Sequence, residues 1–193
     1  ATIDKVKAWK TINGIANPVE RDGREGAYLK SLADSANGIV GLALPVDIEF
    51  DTGVIELELK GKSERGRSFL GAAFNVVDDK TFEAIYFRPF NFKADDPFRG
   101  RAVQYIAWPT NTWEYLRKNH PGKFEQPVNP GPDPDDWFRA RIEMTDKQPR
   151  RFGLLQRTAF FAAVLVQHHD AQCAGQIRAN ELPTSAIASL PRA

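Results

Sequence analysis

The sequence predicts an all-β sandwich, and three observations carry that expectation. Residues 54–60, 69–75, 81–90, 102–108 and 137–144 alternate apolar with polar or small side chains, the period of a strand with one buried face. Thirteen Pro and 14 Gly supply turns between such runs. Thirteen Phe, four Tyr and four Trp supply a large core, and 193 residues suit one domain of this class.

The amino-terminal stretch 3–15 carries Val6, Trp9 and Ile12 and reads as a helical turn or an opening strand, with Trp9 as a core anchor. Asn17-Pro18 and Asp22-Gly23-Arg24 are turn signals. Residues 27–32 and 39–44 read as short strands, with Pro45 ending the second. Asp51-Thr52-Gly53 turns into VIELELK, the clearest strand of the chain. Ile55, Leu57 and Leu59 face one side of it; Glu56, Glu58 and Lys60 face the other. A charged, glycine-rich loop at 61–67 leads to FLGAAFN. Asp78-Asp79-Lys80 then makes a hairpin into FEAIYFRPFN, so these two strands are antiparallel neighbours. Residues 102–108 form a further strand, with Gln104, Ile106 and Trp108 sharing a face. A short helix near 112–118 is expected, capped by Thr112 and marked by Trp113, Leu116 and Arg117. Residues 121–136 are proline-rich and read as a long surface excursion; WFRARIEM closes the alternating region.

Aligning the faces predicts a site. If Ile55, Leu57, Leu70, Phe74, Ile85 and Phe87 form the core face, the reverse face holds Glu56, Glu58, Gly71, Ala73, Asn75, Tyr86 and Arg88. Small residues on the middle strand would then leave a trough flanked by polar groups, with Gln104 beside it and Trp108 at its edge. The plainer alternative is a solvated sheet face carrying a Glu–Arg cross-strand pair.

Charge narrows the partners. With 26 basic and 25 acidic residues the chain carries no basic stripe or acidic tail, so no nucleic-acid partner is expected. One cysteine, Cys173, excludes an intramolecular disulfide. The longest apolar run, 159–166, is too short for a transmembrane segment. Ala1 is a small residue of the kind a signal peptidase leaves, which leads to the expectation of a secreted or periplasmic protein.

After residue 146 the alternation stops. Residues 159–166 read as a buried helix or a buried strand, and the remainder as an irregular tail. The expected division is therefore a sandwich over 1–146 and an atypical segment over 147–193, partly packed on it.

GVIELELKG at 53–61, FLGAAFNVVDDKTFEAIYFRPF at 69–90, AVQYIAW at 102–108 and DDWFRARIEM at 135–144 together resemble the concanavalin A-like lectin/glucanase superfamily. The nearest branch is the laminin-G-like bacterial domains grouped with keto-disaccharide hydrolases. The resemblance covers about half the chain. It implies a jelly roll of two curved antiparallel sheets, exported, that binds or acts on sugars at a concave face. It also implies closing strands after WFRARIEM, which residues 150–193 do not display as a pattern. One hypothesis is a divergent end or a shifted reading frame; source DNA around codons 147–150 with no alternating strand in the other frame would refute it.

Sugar-cleaving relatives use carboxylates alternating on one strand, because side chains at i and i+2 share a face and retaining chemistry needs about 5–5.5 Å between carboxyl groups. Glu56 and Glu58 fit that spacing, with Lys60 in the place of a third acid. Sugar binding asks for less: an aromatic face and hydrogen-bonding side chains. Glu56, Glu58, Asn75, Tyr86, Arg88, Gln104 and Trp108 are the candidates. The expected function is non-catalytic carbohydrate recognition. The alternatives are a glycoside-acting hydrolase using Glu56 and Glu58, and a protein-interaction module. His120, His168 and His169 form no nucleophilic triad, and the adjacent pair is poorly spaced for a metal. Calcium is conceivable at the acidic turns 78–79, 95–96 and 133–136, but these lack a spaced ligand loop and read as solvated turns.

Overall fold

A computed structural model describes residues 9–32, 40–46, 53–144, 163–167 and 171–174. Its strands are β1 (Trp9–Ile12), β2 (Gly14–Arg21), β3 (Arg24–Ser31), β4 (Gly41–Pro45), β5 (Gly53–Lys60), β6 (Phe69–Phe74), β7 (Phe82–Phe87), β8 (Val103–Trp108), β9 (Glu125–Gln126), β10 (Trp137–Met144), β11 (Ala163–Gln167) and β12 (Ala171–Ala174). The α-helix among the described residues, α1 (Trp113–Asn119), follows β8. The fold is an all-β sandwich with a short helix, as the alternation predicts.

Seven strands form one sheet in the order β1-β4-β11-β6-β7-β8-β9, and five form the other in the order β10-β5-β12-β3-β2. Adjacent strands pair antiparallel throughout. Ile55, Leu57 and Leu59 of β5 and Phe138, Ala140 and Ile142 of β10 share one buried cluster with Leu70, Ala72, Phe74, Phe87, Val103 and Tyr105 of the larger sheet. Phe138 meets Phe87 and Phe92 edge-on at 5.2 and 4.9 Å, which ties the two layers together. Each such side chain contributes about 1.5–3 kcal/mol by leaving water.

The β6–β7 hairpin forms as expected, with Ala72 opposite Ile85. At the β2–β3 hairpin, Asp22 and Gly23 take φ of 54° and 70°, the left-handed pair that a two-residue turn requires. Asn17-Pro18 makes no turn; it lies inside β2. That strand is a sheet edge, where a missing N–H costs no ladder bond. Thr112 caps α1, its Oγ1 accepting from the Tyr115 N–H at 3.3 Å.

Two corrections affect the site. β5 and β6 are not neighbours: the loop between them carries the chain from the smaller sheet to the larger one. And two of the described strands lie beyond residue 146: β11 takes the strand alternative read for 159–166, while β12 falls in the stretch read as irregular. β11 sits between β4 and β6, and β12 between β5 and β3. AVLVQ is almost continuously apolar and AQCA is short and built of small residues, so neither offers an apolar–polar alternation to read.

A buried charged row on the outer face of the larger sheet

Strand parity holds on β7. Ile85 packs toward the core between the sheets, whereas Ala84 and Tyr86 belong to a second buried cluster on the opposite face. Register then lines up one row across four strands: Gly71 lies opposite Tyr86, Tyr86 opposite Gln104, and Gln104 opposite Glu125. Gly71 cannot be larger. A Cβ there would stand 2.1 Å from the Ile85 carbonyl oxygen and 2.6 Å from the Tyr86 Cα.

Arg88 lies just past β7 in extended backbone, so the alternation continues and its side chain joins the row. Its Nη2 donates to the Tyr86 hydroxyl at 2.8 Å and to Gln104 Oε1 at 3.3 Å. Nη1 donates to the Arg101 carbonyl at 2.8 Å and approaches Glu125 Oε1 at 3.5 Å. Gln104 Nε2 donates to the Tyr105 and Phe124 carbonyls at 2.8 and 3.2 Å, which fixes which end of the amide faces Arg88. Glu125 is gripped from its other side by Arg117, whose Nε donates to both carboxylate oxygens at 3.2 and 3.1 Å and whose Nη2 also meets Oε1.

The row is dry. Tyr86, Arg88, Gln104 and Glu125 are 3%, 6%, 0% and 7% exposed. Burial pushes the Tyr86 hydroxyl above the ordinary tyrosine range, against the pull of the Arg88 charge. The bond to Glu125 raises Arg117 further, so its charge is permanent. Phe69 packs edge-on to Tyr86 at 6.0 Å and lies 5.9 Å from the Arg88 guanidinium. Only Arg117 leads outward: its side chain is 28% exposed, and its guanidinium lies 4.7 Å from the Trp113 ring, itself 37% exposed. Asn91 Nδ2 shares the Arg101 carbonyl at 3.2 Å, and its buried Oδ1 has no hydrogen-bond partner among the described residues.

The predicted residues therefore separate. Tyr86, Arg88 and Gln104 come together. Trp108 is on the same face but about 13 Å along β8 from Gln104, at 3.3 Å per residue; it stacks on Phe82 at 6.5 Å. Asn75 is turned away. Its φ of 53° ends the β6 alternation, and its amide bonds Glu83, whose other oxygen accepts from the Tyr105 hydroxyl at 2.6 Å. Glu56 and Glu58 stand on the other sheet. They face Arg141 at 3.7 Å and Arg139 at 3.2 Å, the plain cross-strand pairing. The trough of small residues is filled instead: Ala73 and Ala84 are buried with Leu42, Phe82 and Ile106.

Sequence reasoning missed Glu125 and gave Arg117 only a helical role. Glu125 lies in the proline-rich excursion, where Phe124 and Glu125 are buried and β9 adds an edge strand. The acids of the turns act as local caps. Asp78 accepts from the Lys80 N–H at 2.9 Å, and Asp133 from the Asp135 N–H at 2.9 Å. Among the described residues no three His, Cys, Asp or Glu side chains converge, and no helix is long and apolar enough to cross a membrane. His168 and His169 lie outside the described residues.

Comparison of the chain with protein-family models, curated proteins and solved structures returns no match.

Proposed function

We propose that the domain is a non-catalytic carbohydrate-recognition module whose ligand meets the rim formed by Arg117 and Trp113. One observation carries the reading. Arg117 is held by a buried carboxylate, lies against an aromatic ring, and still reaches solvent. A pyranose uses that combination: its apolar face stacks on the ring, and its hydroxyls accept from the guanidinium. Tyr86, Arg88, Gln104 and Glu125 are then positioning residues behind the rim.

Stability alone does not call for such a row, because well-packed apolar residues commonly replace a buried ion pair without loss. The concanavalin A-like resemblance supports the sugar class as a likeness of fold. An exported location goes with the same reading. Glu56 and Glu58, each facing an arginine of the neighbouring strand β10 in the smaller sheet, give no support to the hydrolase alternative.

A glycan array tests the proposal. The wild type is expected to retain at least one glycan without cleaving it, and Trp113→Ala and Arg117→Ala to lose it. A blank array, or turnover of a bound glycan, would overturn the proposal; a blank array with capture of a protein through Trp113 would favour the interaction module.

A further inference from the structure

A second surface lies beside the charged row. Phe98, in the loop between β7 and β8, is 40% exposed. The guanidinium carbon of Arg65 lies 4.2 Å from its ring centroid, and that of Arg101 lies 5.8 Å away. The two guanidinium carbons are thus no farther apart than about 10 Å, the sum of those distances, within reach of one exposed ring.

In the same loops Lys62 has Glu64 at 3.8 Å and Arg99 has Asp96 at 3.6 Å. Arg65 and Arg101 form no ion pair among the described residues. Asp95, the remaining acid of the Phe98 loop, is exposed, and its backbone carbonyl accepts from the Phe98 and Arg99 N–H groups.

The surface is also braced. A Cβ at Gly61 would stand 2.8 Å from Pro89, 2.8 Å from Ser68 Oγ and 2.9 Å from Leu70, so the two loops pack without slack. Ser68 Oγ accepts from the Lys62 N–H at 3.0 Å. The Arg101 carbonyl is held by Arg88 and Asn91 while its side chain reaches Phe98.

From this geometry we infer that Arg65, Phe98 and Arg101 form a subsite for a carboxylate-bearing polysaccharide, a chain of uronic acids. A guanidinium lying near a ring keeps its N–H edge available, and that edge matches a carboxylate with two parallel bonds. The exposed ring offers an apolar platform for the sugar between the charges. The inference deepens the proposed carbohydrate reading and rests on it.

Calorimetric titration of the full chain tests it, using oligogalacturonate, its methyl ester and a single-stranded oligonucleotide of matched charge. The wild type is expected to bind oligogalacturonate, more weakly as salt rises, and to bind the uncharged ester poorly. Arg65→Ala and Arg101→Ala should each weaken binding about five- to tenfold, the value of one charge-assisted contact at a wet surface. Phe98→Ala should weaken it as well. Unchanged affinity in the two arginine variants would overturn the inference, as would an oligonucleotide bound as tightly through the same residues. Arg117→Ala separates the two claims. If it abolishes glycan binding while Arg65→Ala and Arg101→Ala do not, the subsite falls and the recognition rim stands. The reverse pattern keeps the subsite and removes the rim.

Discussion

Two outward sheet faces of this molecule carry arginine–glutamate pairs, and they are built differently. On the smaller sheet Glu58 and Arg139, and Glu56 and Arg141, meet across neighbouring strands at 3.2 and 3.7 Å; Arg139 is exposed and Glu58 half-buried, whereas Arg141 is largely buried and also meets the exposed Glu143 at 3.1 Å. On the larger sheet Arg88 and Glu125 meet at 3.5 Å with almost no exposure, and tyrosine, glutamine and backbone carbonyls take up further donors and acceptors. An ion pair in water contributes about 0–1 kcal/mol. A buried one has lost its hydration and depends on its partners, so removing one partner costs about 3–5 kcal/mol. Sequence alternation looks the same in both places; desolvation of both partners separates the Arg88–Glu125 row from the wet Glu58–Arg139 pair.

The largest effect that can break this contrast is Arg88→Ala. It leaves Glu125 with Arg117 alone and strands Tyr86 and Gln104, and a loss of about 3–5 kcal/mol is expected in urea unfolding. A loss below about 1 kcal/mol would make the row equivalent to the surface pairs. Gly71→Ala comes next. Its methyl meets backbone at Ile85 and Tyr86 rather than a movable side chain, and overpacking of this kind costs about 1–3 kcal/mol.

Tyr86→Phe sharpens the comparison. It removes the bond from Arg88 and should cost about 1 kcal/mol near neutral pH. It also changes the alkaline limb. Burial raises the native Tyr86 pKa above its ordinary value of 10.0. Above that pH the unfolded chain releases the phenol proton while the native chain keeps it, so stability is whole below it and falls as pH rises. In the Phe variant that part of the alkaline decline disappears. The smallest expected effect is Glu58→Gln, within about 0.5–1 kcal/mol and shrinking with added salt.

Much of this architecture was legible in the residues, for physical reasons. Period-two alternation set Ile85 and Tyr86 on opposite faces, and the Asp78-Asp79-Lys80 turn paired β6 with β7. Gln104 and Tyr86 share a row because register carries parity from strand to strand. Sheet membership was not legible. The loop from β5 to β6 is long enough to cross between layers, and alternation within a strand says nothing about which layer receives it. That moved Glu56 and Glu58 away from Arg88. Asn75 escaped because one left-handed residue ends the alternation. Glu125 escaped because a two-residue edge strand in a proline-rich loop has no period to read.

The most direct measurement compares the two faces against one ligand. Affinity for a glycan retained by the wild type should be measured calorimetrically for Arg117→Ala and for the Glu56→Gln/Glu58→Gln double variant. Loss of binding in the first, with the second matching the wild type, is the predicted result. Binding kept by Arg117→Ala and lost in the double variant would move recognition to the smaller sheet and contradict the assignment.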